Sequence, residues 1–229
     1  MKDFLAFAQE RRSYRTYNTK SVSLELVADC LLAASFAPSA GDVQPWEFLV
    51  VEDAEQRAGV VRACEDQDWL HDAPTLVVVL GDTQRAEAYH GELGVKWCRD
   101  SCCAATQNLL LAAHERGLAG CWVSAFDDVL IQEALRLPDH VMAVSVVALG
   151  YSDELLIEKS VTPLDSLVHF DVYGRRRRDE SEDMGDYGEV FLARKQALSK
   201  RVEQIASSST PAKKSFSERV QEIFGRTKK

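Results

Sequence analysis

Between residues 23 and 35, apolar side chains recur at intervals of three and four: Leu24, Val27, Ala28, Leu31 and Leu32. That is a helical period, with Ser23 standing where an N-cap belongs and Glu25 in the first turn. The pattern predicts a helix ending near Ser35, before Pro38. A different pattern holds from Phe48 to Val51, from Leu76 to Leu80 and from Met142 to Leu149: short apolar, β-branched runs bounded by Asp, Pro or Gly. These read as buried strands, with helices filling the gaps. From about Val95 to Arg116, Ala, Leu and Cys dominate so thoroughly that most faces must be covered, which makes this a central helix with Gly117 as its C-terminal cap. Asp127 caps a further helix reaching Leu135 and stopped by Pro138.

After Gly174 the pattern changes. Arg175 to Arg178 is answered at once by Asp179, Glu180, Glu182 and Asp183, the mark of a solvated, self-neutralising segment. Glu189 to Ala206 reads as helical and Ser207 to Lys214 as a linker. Ser215-Phe216-Ser217-Glu218 is a capping box opening a short helix with Phe216, Val220, Ile223 and Phe224 on one side. That stripe needs a surface on its own domain, on a sister subunit or on another protein. The expected division is a domain over 1–174 and a charged linker with a helical extension over 175–229.

With 229 residues and 46% hydrophobic composition, the chain can bury one substantial core. A formal charge of -9 argues against nucleic acid as the main partner, because phosphate binding needs a basic face. Local basic clusters must therefore be explained locally. No apolar stretch reaches the roughly 18 residues of a spanning helix and the N-terminus lacks a signal-peptide pattern, so a cytoplasmic protein with no membrane partner is expected. The six cysteines read as reduced thiols, with Cys98 and Cys102 four apart on one helix face as small buried hydrophobes. His71, His90, His114, His140 and His169 have no ligand spacing, and Asp66, Asp68, His71 and Asp72 read as a solvated turn, so no metal site is expected.

Three segments could carry chemistry. Arg11-Arg12-Ser13-Tyr14-Arg15-Thr16-Tyr17 crowds three guanidiniums and several hydroxyls into an otherwise acidic chain. Planar forks of this kind grip a phosphate through paired charge-assisted hydrogen bonds, but a solvated helix end whose cations favour the local dipole has the same composition. Ala37 to Trp46 is a loop of small and turn-forming residues leading into a strand, able to offer backbone to a flat ligand. Gly120 to Asp127 is a strand-to-helix turn whose small Ser124 and Ala125 permit close approach, and the helix they precede offers unpaired N–H groups.

In order and spacing these segments resemble the nitroreductase family of FMN-dependent oxidoreductases. The family opens with Arg-Arg-Ser-x-Arg-x-aromatic, here Arg11 to Tyr17, followed after one helix by Ala-Pro-Ser-x-x-Asn-x-Gln-Pro-Trp-x-Phe, here Ala37 to Phe48. Asp100, Ala104 to Leu109 and Gly117 to Val123 are similar to its central helix and the flavin-edge turn after it. Ala148 to Tyr151 and Val168 to Gly174 are similar to its closing strand and C-terminal segment. The resemblance covers about residues 4–174, roughly three quarters of the chain.

It implies an α+β sandwich: a mixed, largely antiparallel sheet surrounded by helices, dimerised through the long central helix. It implies FMN, with Arg11, Arg12, Ser13 and Arg15 holding the phosphate and the flavin's polar edge, and Gln67 as a further contact. Ser124 and Ala125 would lie against the isoalloxazine ring, and Pro38, Ser39 and Asp42 would reach the flavin of the other subunit of a homodimer. Hydride would come from NADH or NADPH and pass to a small organic acceptor, such as a nitroaromatic or a quinone, by a ping-pong mechanism with no catalytic side chain. The alternative is a non-enzymatic FMN protein for storage or regulation, its tail docked on a partner. Two departures bear on this. Asp42 stands where the family pattern has Asn, and a buried acid there would be protonated or find a cation. The family's C-terminal Lys-x-Arg survives only as Lys159-Ser160-Val161, leaving Lys159 or an arginine of Arg175 to Arg178 to supply the second phosphate cation.

Overall fold

The runs expected as strands pair with one another in a single sheet. The computed structural model describes residues 4–154 and 160–175, and contacts divide the chain into two units, Met1–Val161 and Thr162–Lys229. The first contains α1 (Phe4–Glu10), α2 (Leu24–Ser35), β1 (Trp46–Val51), α3 (Ala54–Ala63), α4 (Trp69–Asp72) and β2 (Thr75–Asp82). After these come α5 (Thr83–His90), α6 (Gly94–Glu115), β3 (Ala119–Val123), α7 (Asp128–Leu135) and β4 (Val141–Gly150). The four strands are ordered β1-β2-β4-β3 and are all antiparallel. An isolated parallel bridge joins Ser13 to Gly120, so the sheet is mixed and largely antiparallel, as expected.

Why β2 and β4 are unbroken apolar runs follows from their place. They are the inner strands, and side chains alternate between faces that are both covered. Leu76 and Val78 join a core with Val60, Val61 and Ile131, on the side of α3 and α7. Val77 and Val79 join a core with Val27, Cys98, Cys102 and Leu109, on the side of α2 and α6. Register slips between Val79 and Leu80, which pair with Ser145 and Ala143, so Val144 is an extra residue in β4. Ser145 is fully buried, and its hydroxyl lies 3.0 Å from that of Thr106 on α6, which donates to the Cys102 carbonyl at 2.8 Å. This buried polar pair is thereby satisfied.

Helix α6 lies close to the sheet because β2 offers it a glycine. A Cβ at Gly81 would fall 2.6 Å from the Cys98 sulfur and 3.2 Å from that of Cys102. The two thiols thus occupy the space of a missing side chain, as small buried groups. All six cysteines are free. Ser23 caps α2, accepting from the Leu26 N–H at 3.4 Å, while Asp53 and Asp82 cap α3 and α5 in the same way at 2.8 Å. Among the described residues, no helix is long and apolar enough to cross a membrane.

In the second unit, a 3-10 turn over Leu164–Ser166 precedes a tight turn. There the Gly174 N–H donates to His169 Nδ1 at 3.0 Å and Arg175 pairs with Asp171 at 3.0 Å. The helices expected at 189–206 and 215–224 lie outside the described residues, as does Lys159.

Candidate functional site

Helix α1 stops at Glu10, and the chain then runs extended along the edge of the sheet. The Tyr14 N–H donates to the Gly120 carbonyl at 3.3 Å and the Asn18 N–H to the Tyr151 carbonyl at 2.9 Å. Tyr17 pins the segment from within: its ring is buried, and its hydroxyl donates to Tyr14 O at 3.0 Å and lies 3.4 Å from Ala148 O. Only a glycine fits at position 150, where a Cβ would come within 2.6 Å of both the Tyr17 ring and Pro74. Burial raises the pKa of the Cys121 thiol on β3, and the nearby guanidiniums of Arg15 and Arg11 and the Ser13 hydroxyl work against it. Those three side chains therefore gather around β3.

Among the described residues, no carboxylate lies within ion-pair distance of Arg11, Arg12 or Arg15, although the chain carries a net charge of -9. Arg12 donates to the carbonyls of Gln9 and, at 3.0 Å, of Arg11, so it serves the C-terminal end of α1 as a helix-end cation does. Its Nε is buried and has no hydrogen-bond partner. Arg15 is exposed, and its guanidinium carbon lies 6.0 Å over the Trp69 ring. Arg12 thus serves the helix end through one terminal nitrogen while its Nε has no partner, and Arg11 donates to the Arg12 carbonyl at 3.4 Å.

Ser124 and Ala125 follow β3 directly, and both are exposed. The Asp127 N–H donates to the Ala63 carbonyl at 2.8 Å, tying this turn to the end of α3. Half-buried Gln67 lies just beyond, its amide donating to Cys64 O at 3.0 Å. Arg11 to Arg15 thus run beside the start of β3, where Ser13 bridges Gly120, while Ser124 and Ala125 follow its other end and Gln67 lies near the end of α3. One expectation is corrected here. The N–H groups of Val129 and Leu130 in the first turn of α7 are not open, because the Asp127 carboxylate accepts both, at 2.9 and 3.0 Å.

Pro38, Ser39 and Asp42 lie elsewhere. The Ala40 N–H donates to Ser101 Oγ at 3.3 Å, whereas Gly120 packs beside Leu110, about 14 Å further along α6 at a rise of ~1.5 Å per residue. A single chain does not bring this loop to the arginines. The loop is tightly held: Gly41, Asp42 and Gln44 have φ of 58°, 55° and 50°, a left-handed backbone that is strained for Gln44. Ser39 Oγ accepts the Gln44 N–H at 3.0 Å, Arg85 donates to Gln44 O at 3.0 Å, and His90 Nε2 lies 3.1 Å from Ala40 O. Among the described residues Asp42 has no cation partner, and within the chain it is not buried, so the case of a buried acid does not arise there. It is exposed, and its carboxylate accepts the Gln44 side-chain amide at 2.9 Å. Trp69, Arg85 and Ser101 carry no signal in the sequence, because their roles lie in through-space contacts that no local pattern marks. Asp66, Asp68, His71 and Asp72, the last two on α4, are all exposed.

The model of the nitroreductase family matches residues 8–67 and 59–151. A protein of Archaeoglobus fulgidus, named as an NADH dehydrogenase/NAD(P)H nitroreductase, is 36% identical over 155 residues, covering 66% of this chain and 86% of that protein. The solved structure of an FMN-dependent nitroreductase from Clostridium difficile R20291 is 27% identical, with a TM-score of 0.62 over 74% of this chain and 99% of that one. NfrA2 of B. megaterium, at 19% identity, shares the fold, with a TM-score of 0.74 over 98% of this chain and 92% of that one.

Proposed function

This chain belongs to the nitroreductase family, and on that premise we propose that it is an FMN-dependent oxidoreductase that draws hydride from NADH or NADPH and reduces a small organic acceptor, such as a nitroaromatic or a quinone. The observation that carries the reading is the group of guanidiniums beside β3: unpaired with any described carboxylate in an acidic chain, and including a buried Nε with no partner. A phosphate monoester fits that donor set, because it can take several charge-assisted hydrogen bonds from planar forks.

Arg11, Arg12, Ser13 and Arg15 would hold the phosphate and the polar edge of the flavin, with Gln67 beside them. Ser124 and Ala125, small and exposed, leave room for a flat ring at the end of β3. Pro38, Ser39 and Asp42 would complete the site from the sister subunit of a homodimer built on α6, since within one chain they stand apart from the arginines. FMN held there would supply the two-electron redox chemistry that links a nicotinamide donor to the acceptor. The side chains' task is to bind, orient and leave one face open, so no catalytic acid or base is assigned. Donor and acceptor use the open face in turn, and the kinetics are ping-pong.

Stopped-flow mixing of the flavin-loaded protein with each donor tests this. Rapid bleaching of the flavin band, followed by reoxidation with a quinone, is expected. A flavin that stays oxidised with both donors would leave only the binding-protein reading.

A further inference from the structure

An arginine that awaits an anion must be held in one place yet keep its charge. A carboxylate would do the first and defeat the second. An aromatic face does both, because its quadrupole attracts the guanidinium without neutralising it. Arg15 is in that situation: among the described residues it has no ion-pair partner, and its guanidinium carbon stands 6.0 Å over the Trp69 ring.

Trp69 is itself firmly placed. Its ring lies 6.3 Å from that of Tyr17, at 27° between planes, and Tyr17 is buried with its hydroxyl donating to Tyr14 O at 3.0 Å. The short helix α4 that carries Trp69 is fastened from both ends. The Leu70 N–H donates to Gln67 O at 2.9 Å, and Arg57 donates to the carbonyls of Leu70, at 3.3 Å, and Ala73. A rigid path therefore runs from the sheet through Tyr17 and Trp69 to an exposed cation.

We propose that Trp69 is a positioning residue of the phosphate site, holding Arg15 in place so that the protein distinguishes a phosphorylated flavin from the same ring without phosphate. This rests on the reading of Arg11 to Arg15 as the FMN phosphate anchor. It adds that the selectivity depends on an aromatic residue more than 50 positions away that need not touch the ligand.

The test is a pair of titrations of the full-length apoprotein, with FMN and with riboflavin, which lacks the phosphate. Trp69→Leu is expected to lower the FMN-to-riboflavin affinity ratio by about threefold to fivefold, the scale of an exposed cation–π contact, with riboflavin affinity unchanged. Trp69→Phe, which keeps a ring face, should retain most of the ratio. In an Arg15→Gln background, Trp69→Leu should cost nothing more. Equal loss of both flavins, or a ratio unchanged in Trp69→Leu, overturns the inference while leaving FMN binding by the wild-type chain intact. A wild-type chain that binds neither flavin instead defeats the parent reading. Should Trp69→Leu fail to fold, Trp69→Met is read in its place against the same ratio.

Discussion

At the scale of single residues, the thiols are the groups whose chemistry burial changes most. Burial, with neighbouring Asp29, raises Cys30 from the ordinary 9.0 to about 11, and burial, with Glu65, raises Cys64 to about 12. Both sites favour the neutral thiol in the folded chain. A raised acid of this kind contributes stability that is fully present below the unfolded value and is lost as pH rises through the folded one. The denaturant midpoint is therefore expected to hold up to about pH 9 and fall between there and about pH 12, with a shallower fall in a Cys30→Ala/Cys64→Ala variant. Equal slopes in the two proteins would show that other groups dominate. The residue-level chemistry was only partly legible in the sequence. Arg11, Ser13 and Arg15 could be singled out as an unusual cluster, but not chosen between a helix end and an anion site. What bears on that choice, the lack of a carboxylate partner among the described residues, is a property of three dimensions. The setting of Asp42 was not legible either, because exposure is not a local property: nothing in Gly41-Asp42-Val43 announces that the carboxylate faces out and meets Gln44.

At the scale of elements, α2, α6, α7 and the inner strands were readable because each carries its own signal: a side-chain cap, an apolar period, or a run kept apolar by burial on both faces. Helices α3 and α5 lack such a period. Each buries only a few residues, and their caps, Asp53 and Asp82, become informative only beside the strands they follow. The close approach of α6 to β2 makes a sharp prediction. Gly81→Ala places a methyl where the sulfurs of Cys98 and Cys102 already lie, and should destabilise the fold by about 1–3 kcal/mol by overpacking. Combining it with Cys98→Ala, which vacates that space, should recover part of the loss, giving a non-additive double-mutant cycle in chemical denaturation. Strict additivity would mean that the strand and helix move apart instead.

At the scale of the whole molecule, a local positive site sits in a negative field. On the proposed reading, a net charge of -9 repels the anionic FMN at long range, while Arg11, Arg12 and Arg15 would attract it at contact. Salt screens both, over about 10 Å at ~0.1 M. Because the contact charges have no described carboxylate partner, the attraction should win. FMN affinity should fall several-fold between about 50 mM and about 500 mM salt, while riboflavin affinity stays level. FMN binding that tightens with salt would show that the overall field governs the site, and that the arginines are less available than their geometry implies.

The left-handed turn at Gly41, Asp42 and Gln44 bears on how this site can diverge. A backbone at φ 55° tolerates Asn and Asp far better than branched or bulky residues, so at position 42 conformation admits the family's amide and this chain's carboxylate almost alike. What differs is the charge and the lost donor. Variation at this point can therefore change what the loop presents to a ligand, an electron acceptor included, without redrawing the loop.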